Sequence, residues 1–270
     1  MAEITAKLVN ELRAKTGLPM MECKKMLTET GGDIDKAVDA IRKKGVKTSI
    51  TERATTEGRV HVATSADKKS AALVEVNCNT DFTAKSDEVL KVLEKAVVKL
   101  IEKPHAPLNE DAEIKDLLTE VSKKTGENVV LGRTALVGGS GFAGSYLYST
   151  AGKGKIGVLL SFTGTPNDDL VRQLGMHIAA ARPVALTRMD VPEELVAKER
   201  EIAIEQAKAT GKPQQIAEKI AEGKLNAFYS ERVLLDQDFV NGEVFKGKVS
   251  EMIKSAGSSV EKYVRIEVGQ

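Results

Sequence analysis

Along the first 46 residues, apolar positions recur at helical spacing and are broken at short intervals by glycine and proline. Ile4, Leu8 and Leu12 fall every four residues and predict an apolar stripe on a first helix. Thr16-Gly17-Leu18-Pro19 ends it, and Pro19 suits the first position of a second helix, where a missing amide costs nothing. That helix carries Met21, Cys23, Met26 and Leu27 from Met20 to Thr28, until Gly31-Gly32 breaks it. Asp33 is a good N-cap for a third helix with Ile34, Ala37, Val38 and Ile41, which Gly45 stops. The expectation is a three-helix mini-bundle over 1–46, small enough to rely partly on docking elsewhere. Residues 47–57 are polar and threonine-rich and read as a linker.

The period then switches to two. Val60 and Val62 mark one strand, and Leu73, Val74 and Val76 a second, joined by a polar turn at Asp67-Lys68-Lys69. After Cys78-Asn79-Thr80-Asp81 a single long helix is expected through Val89, Leu93, Val97 and Leu100, ended by Pro104 and Pro107. Another follows with Ile114, Leu117, Leu118 and Val121, closed by Gly126, and Val129–Val137 reads as a strand. The same order recurs downstream. Ser145–Tyr148 and Ile156–Leu160 predict a hairpin across Gly152-Lys153-Gly154; then come a helix with Leu170, Leu174 and Ile178, a helix with Val249 and Met252, Gly257, and a strand over Val260–Val268. Sliding the chain by 131 residues pairs Gly126 with Gly257 and Val129 with Val260. This predicts two related halves, 58–139 and 140–270, each a three-stranded antiparallel sheet backed by helices in an α+β fold.

The second half is interrupted over 190–232 by two helical arms joined at Thr210-Gly211-Lys212-Pro213. Leu195, Ile202 and Ala209 sit seven apart on the first arm, and Ile216, Ile220 and Ala227 stripe the second. Arms of this length, roughly 27 Å each, form an antiparallel coiled-coil hairpin whose narrow stripe and charged faces make it project. Either self-association into a homodimer or contact with a partner suits such a finger.

Composition narrows the function. The 40 basic and 39 acidic side chains nearly cancel, and no basic stripe of the kind that binds nucleic acid is visible. Only 4% of residues are aromatic and none is Trp, so the cores are aliphatic. Two cysteines form neither a disulfide framework nor a metal quartet and read as buried or reactive thiols in a reducing compartment. With no membrane-length apolar run and no secretory signal at the N-terminus, a cytoplasmic protein is expected. The three histidines, His61, His105 and His177, show no metal-ligand spacing. Gly138-Gly139-Ser140-Gly141 joins two expected strands and lacks the Gly-Lys-Ser/Thr of a phosphate loop, so it reads as a connector. Gly152-Lys153-Gly154-Lys155 reads as a turn with basic decoration. No catalytic residues, resident metal or cofactor are expected.

One corner stands apart. Thr80-Asp81-Phe82 lies between a strand and an amphipathic helix, and by its chemistry alone it is an N-cap with a packed phenylalanine nearby. The run Glu75-Val76-Asn77-Cys78-Asn79-Thr80-Asp81-Phe82 resembles the signature of the bacterial elongation factor Ts family. So do Leu12–Gly17 with Met20-Met21-Glu22-Cys23-Lys24-Lys25, Gly175-Met176-His177-Ile178-Ala179-Ala180, Gly211-Lys212-Pro213 with Ile216–Lys219, and Val264–Gly269. These blocks span almost the whole chain.

The resemblance implies that the N-terminal bundle is a domain like the ubiquitin-associated fold. It also implies that the chain promotes GDP release from elongation factor Tu, so that GTP can rebind. By the same resemblance, Thr80, Asp81, Phe82 and Thr83 would disturb the partner's Mg²⁺ site. Arg13, Met20, Met21, Cys23 and His177 would bind the partner. Thr83 stands where the family commonly has valine, which predicts a slightly more polar tip. The sequence ends just after the last expected strand, so the C-terminal helical extension of some members is not expected. A rival reading is a protein-binding scaffold with no exchange activity.

Overall fold

A computed structural model describes residues 4–16, 18–43, 53–139, 141–209 and 213–270. The expected roles of Gly17, Gly45 and Gly211, and most of the 47–57 linker, lie outside the described residues. Helices α1 (Ala6–Thr16), α2 (Met20–Glu29) and α3 (Ile34–Lys43) close on a core that includes Leu12, Leu27 and Ile41. Pro19 sits one residue before the expected position, as N-cap, and its carbonyl accepts from the amides of Glu22 and Cys23 at 3.0 Å each.

Strand β2 (Ser70–Cys78) lies between β1 (Glu57–Thr64) and β3 (Val130–Gly138), antiparallel to both. In the second half, β5 (Lys153–Thr163) lies in the same way between β4 (Phe142–Thr150) and β6 (Ser259–Glu267). Each third strand follows a helix closed by a glycine in the left-handed region, Gly126 at φ 70° and Gly257 at φ 63°. The internal repeat is therefore architectural as well as sequential. On the outer face of the first sheet, Ala72, Val74 and Val76 pack under α5 (Asp87–Glu102) and α6 (Ala112–Thr125). On the second, Val158, Leu160 and Phe162 pack under α7 (Asp168–Ala181) and α10 (Val249–Ser255).

The alternate residues explain why both central strands are apolar throughout. Val60, Ala71, Leu73 and Val137 of one sheet meet Ala143, Leu159 and Ile266 of the other in a shared core. The sheets thus lie face to face between two helical layers, and β2 and β5 are buried on both sides. Gly157 permits the close approach, since a Cβ there would stand 2.4 Å from Leu73 Cδ1. An arginine anchored on a buried carboxylate of its own sheet reaches across the same boundary. Arg133 grips the Glu75 carboxylate with two 2.8 Å bonds and donates to the Glu267 carbonyl at 2.7 Å.

Three sequence expectations are corrected. The single long helix after residue 81 is two, α4 (Asp81–Lys85) and α5, because Ser86 adopts extended angles and caps Val89 instead of continuing the turn. Lys153 is no surface decoration: it opens β5, is 6% exposed, and pairs with Glu57 at 2.6 Å. The hairpin arms, α8 (Glu193–Ala209) and α9 (Gln214–Arg232), do not meet through the isoleucine stripe. Their buried seam is Ala203 and Ala207 against Ala217, Ala221 and Leu225, while Ile202 and Ile216 are exposed. Alanine wins these positions because it lets two helices approach closely with no side-chain entropy to lose.

Candidate functional site

The corner after β2 is built by hydrogen bonds that converge on two residues. Thr80 adopts extended angles and its hydroxyl accepts from the Thr83 amide at 3.3 Å, capping α4. The same hydroxyl donates to Glu127 Oε1 at 2.6 Å. Glu127 Oε2 accepts from the amides of Asn79 and Thr80 at 3.1 and 3.0 Å. Beneath, the Cys78 thiol donates to the Thr80 carbonyl at 3.2 Å. Burial pushes that thiol up to about 11, so it stays protonated and unreactive at neutral pH.

Two asparagines extend the brace. Asn79 Oδ1 accepts from the Asn128 amide at 2.8 Å, and Asn79 Nδ2 donates to the Ala54 carbonyl at 2.8 Å. Asn128 Nδ2 donates to the Arg53 carbonyl at 3.2 Å. The strand end, the loop after α6 and the chain leading into β1 are therefore tied at one place.

What this brace presents is Phe82, 82% exposed. Of the chain's six phenylalanines, all within the described residues, it alone is exposed, so it is not the packed residue that cap chemistry suggests. Beside it, Asp81 pairs with Lys85 at 2.7 Å, and that hydrogen bond holds its carboxyl below the ordinary range. Thr83 turns inward and is buried, which corrects the expectation of a more polar tip. Among the described residues, no cluster of three or more His, Cys, Asp or Glu side chains could hold a metal ion. No described helix is long and apolar enough to cross a membrane.

Comparison with known proteins gives the chain's family. The family model described as Elongation factor TS matches residues 76–270. The chain belongs to the elongation factor Ts family. An elongation factor Ts of Thiobacillus denitrificans is 41% identical over all of this chain and 93% of its own. One from Aquifex aeolicus is 38% identical over 97% of this chain and 96% of its own.

The other residues expected to bind a partner divide in two. In this elongation factor Ts chain Arg13 is exposed, as are Met20 at 50% and Met21 at 75%, the latter two at the start of α2. Cys23 and His177 are fully buried and cannot meet a partner directly in this conformation. Cys23 donates toward the Leu18 carbonyl and lies against Thr16, fixing the α1–α2 turn. His177 Nδ1 accepts from the Val240 amide at 3.2 Å, which leaves Nε2 to donate to Gln237 Oε1 at 2.9 Å, and the ring stacks on Phe239. It thereby fixes the loop that presents Val240, 50% exposed. Sequence reasoning missed Glu127 and Lys85. Lys85 was legible as an i,i+4 partner of Asp81, whereas Glu127 is 47 residues from Thr80 in the chain.

Proposed function

We propose that the chain is a guanine nucleotide exchange factor for elongation factor Tu, working in the cytoplasm through protein–protein binding and not through covalent chemistry. The observation that carries the reading is a rigid, multiply braced corner holding an exposed phenylalanine and a carboxylate at its tip. On this reading Asp81 and Phe82 intrude beside the Mg²⁺ of the bound nucleotide. Mg²⁺ demands near-octahedral oxygen ligation, so displacing one ligand-bearing group weakens the phosphate hold. Linkage makes the effect reciprocal: a factor that loosens GDP is itself loosened by GDP to the same extent. Asp81 must first leave Lys85, a small cost for a solvent-exposed pair.

Arg13, Met20 and Met21 would dock the N-terminal bundle, and His177 and Cys23 would act from beneath by shaping the surfaces above them. The hairpin's alanine seam is filled by its own two arms, so a homodimer through it would have to use Ile202 and Ile216.

Stopped-flow release of labelled GDP from elongation factor Tu tests the reading. The native chain accelerates release, and Phe82→Ala and Asp81→Ala each slow it by about tenfold or more. Phe82→Ala leaves stability within about 0.5 kcal/mol in urea unfolding, as expected for so exposed a side chain. Unchanged release in both variants removes the wedge but not the family assignment, whereas a native chain that gives no acceleration favours the scaffold reading.

A further inference from the structure

Thr80 already satisfies the cap of α4 through its own hydroxyl, so the helix does not require the Glu127 carboxylate. Yet Glu127 accepts three hydrogen bonds from a two-residue segment: the Asn79 amide, the Thr80 amide and the Thr80 hydroxyl. Two of these fix the backbone immediately before the tip. The third fixes the rotation of the Thr80 hydroxyl, so that its lone pair faces the Thr83 amide. A carboxylate is the one side-chain group that can receive all three, since it offers only acceptors. We infer that Glu127 is the positioning residue of the exchange corner, holding Asp81 and Phe82 at a set distance and angle from a docked partner without touching it. This rests on the exchange reading above.

The local structure equips Glu127 for the task. Gly126 ends α6 in the left-handed region at φ 70°, which turns the chain sharply enough to bring the next residue under β2. The Glu127 amide donates to Thr125 Oγ1 at 3.3 Å, and Asn128 is bonded to Asn79, so the carboxylate is fixed from both sides. Burial opposes its ionisation, but hydrogen bonding, led by the Thr80 hydroxyl, outweighs burial and holds its pKa below the ordinary carboxylate value. Such a clamp makes a wedge efficient, because a tip that has lost its freedom beforehand need not lose it on contact.

The test compares Glu127→Gln with the native full-length chain in GDP release from elongation factor Tu, over a range of factor concentrations. Gln can keep an oxygen for the two amides only by turning its NH2 to the Thr80 hydroxyl, which must then accept there instead of donating, so its rotation toward Thr83 is no longer fixed. The maximal release rate is expected to fall about tenfold or more, since misplacing a working group by about 1 Å can cost up to ~10²-fold, with the half-saturating concentration unchanged. Thr80→Val, which removes the hydroxyl from the other side, is expected to give a comparable loss. Combining the two should add little further loss, as for residues in one network, and Thr80→Ser should restore release. If Glu127→Gln releases nucleotide at the native rate, or if the two losses multiply, the proposal is overturned. If the variant melts early, Thr80→Val carries the test alone, and native release with it overturns the proposal. A native chain that gives no acceleration instead removes the exchange reading itself.

Discussion

His177 carries its consequences in its two nitrogens. Val240 donates to Nδ1, so the second proton that acidification would add points N–H against N–H. Burial lowers its pKa below the ordinary 6.5, with the Gln237 hydrogen bond opposing. A neutral group in the fold that protonates more readily when unfolded gives stability that is full above 6.5 and falls as pH drops from there toward the folded value. The slope is at most about 1.4 kcal/mol per pH unit. Burial lowers His61 in the same sense, so the native chain carries both contributions. Urea unfolding between pH 7.5 and 5 should show that decline. His177→Leu should be less stable at pH 7.5 yet have a shallower pH slope, and an unchanged slope would show that His177 does not titrate as described. At this scale the sequence disclosed a cap at Thr80 or Asp81, because capping is local, and the structure assigns it to Thr80. It did not disclose the carboxylate beneath, which comes from 47 residues away, or that Phe82 faces out and Thr83 in.

Elements were legible wherever their signal lay within one run of residues. The paired αL glycines, the alternating strands and the Asp33-to-Ile41 stripe all carry their cause locally. The break at Ser86 was hidden because the apolar periodicity resumes in phase soon after it, while a single side-chain cap redirects the backbone. The hairpin seam was misread because hydrophobicity favours isoleucine over alanine, whereas close helix packing favours the smaller side chain. Packing also governs α7, where a Cβ on Gly175 would stand 2.3 Å from Tyr146 Cβ on β4. Gly175→Ala gains about 1 kcal/mol of helix propensity. Forcing the helix off the strand costs about 1–3 kcal/mol, so a net loss is expected in thermal or urea unfolding. A more stable variant would mean that α7 can shift freely over the sheet.

The molecule as a whole is four layers, and that stacking is the feature least visible in the sequence. The runs Ala71–Val74 and Gly157–Leu160 show that β2 and β5 have two apolar faces, but not that the inner faces meet each other. The N-terminal bundle keeps its own core and touches this body through an ion pair, Lys123 to Asp39 at 2.8 Å, of a kind worth about 0–1 kcal/mol. Deleting residues 1–50 should therefore leave the unfolding of the remainder nearly unchanged. In the exchange assay it should raise the half-saturating concentration while sparing the maximal rate; an unchanged concentration dependence would remove the docking role.

The tie between Asn79, Asn128 and the carbonyls at Arg53 and Ala54 sets the geometry of that division of labour. It anchors the chain that enters β1 at the foot of the corner, so a pull on Arg53 or Ala54 is felt at the strand end that carries the tip. On the exchange reading, binding of the bundle to a partner would hold the tip near that partner, so the two contacts would reinforce each other without any new interaction. A weak wedge can then work often, because every docking event delivers it many attempts.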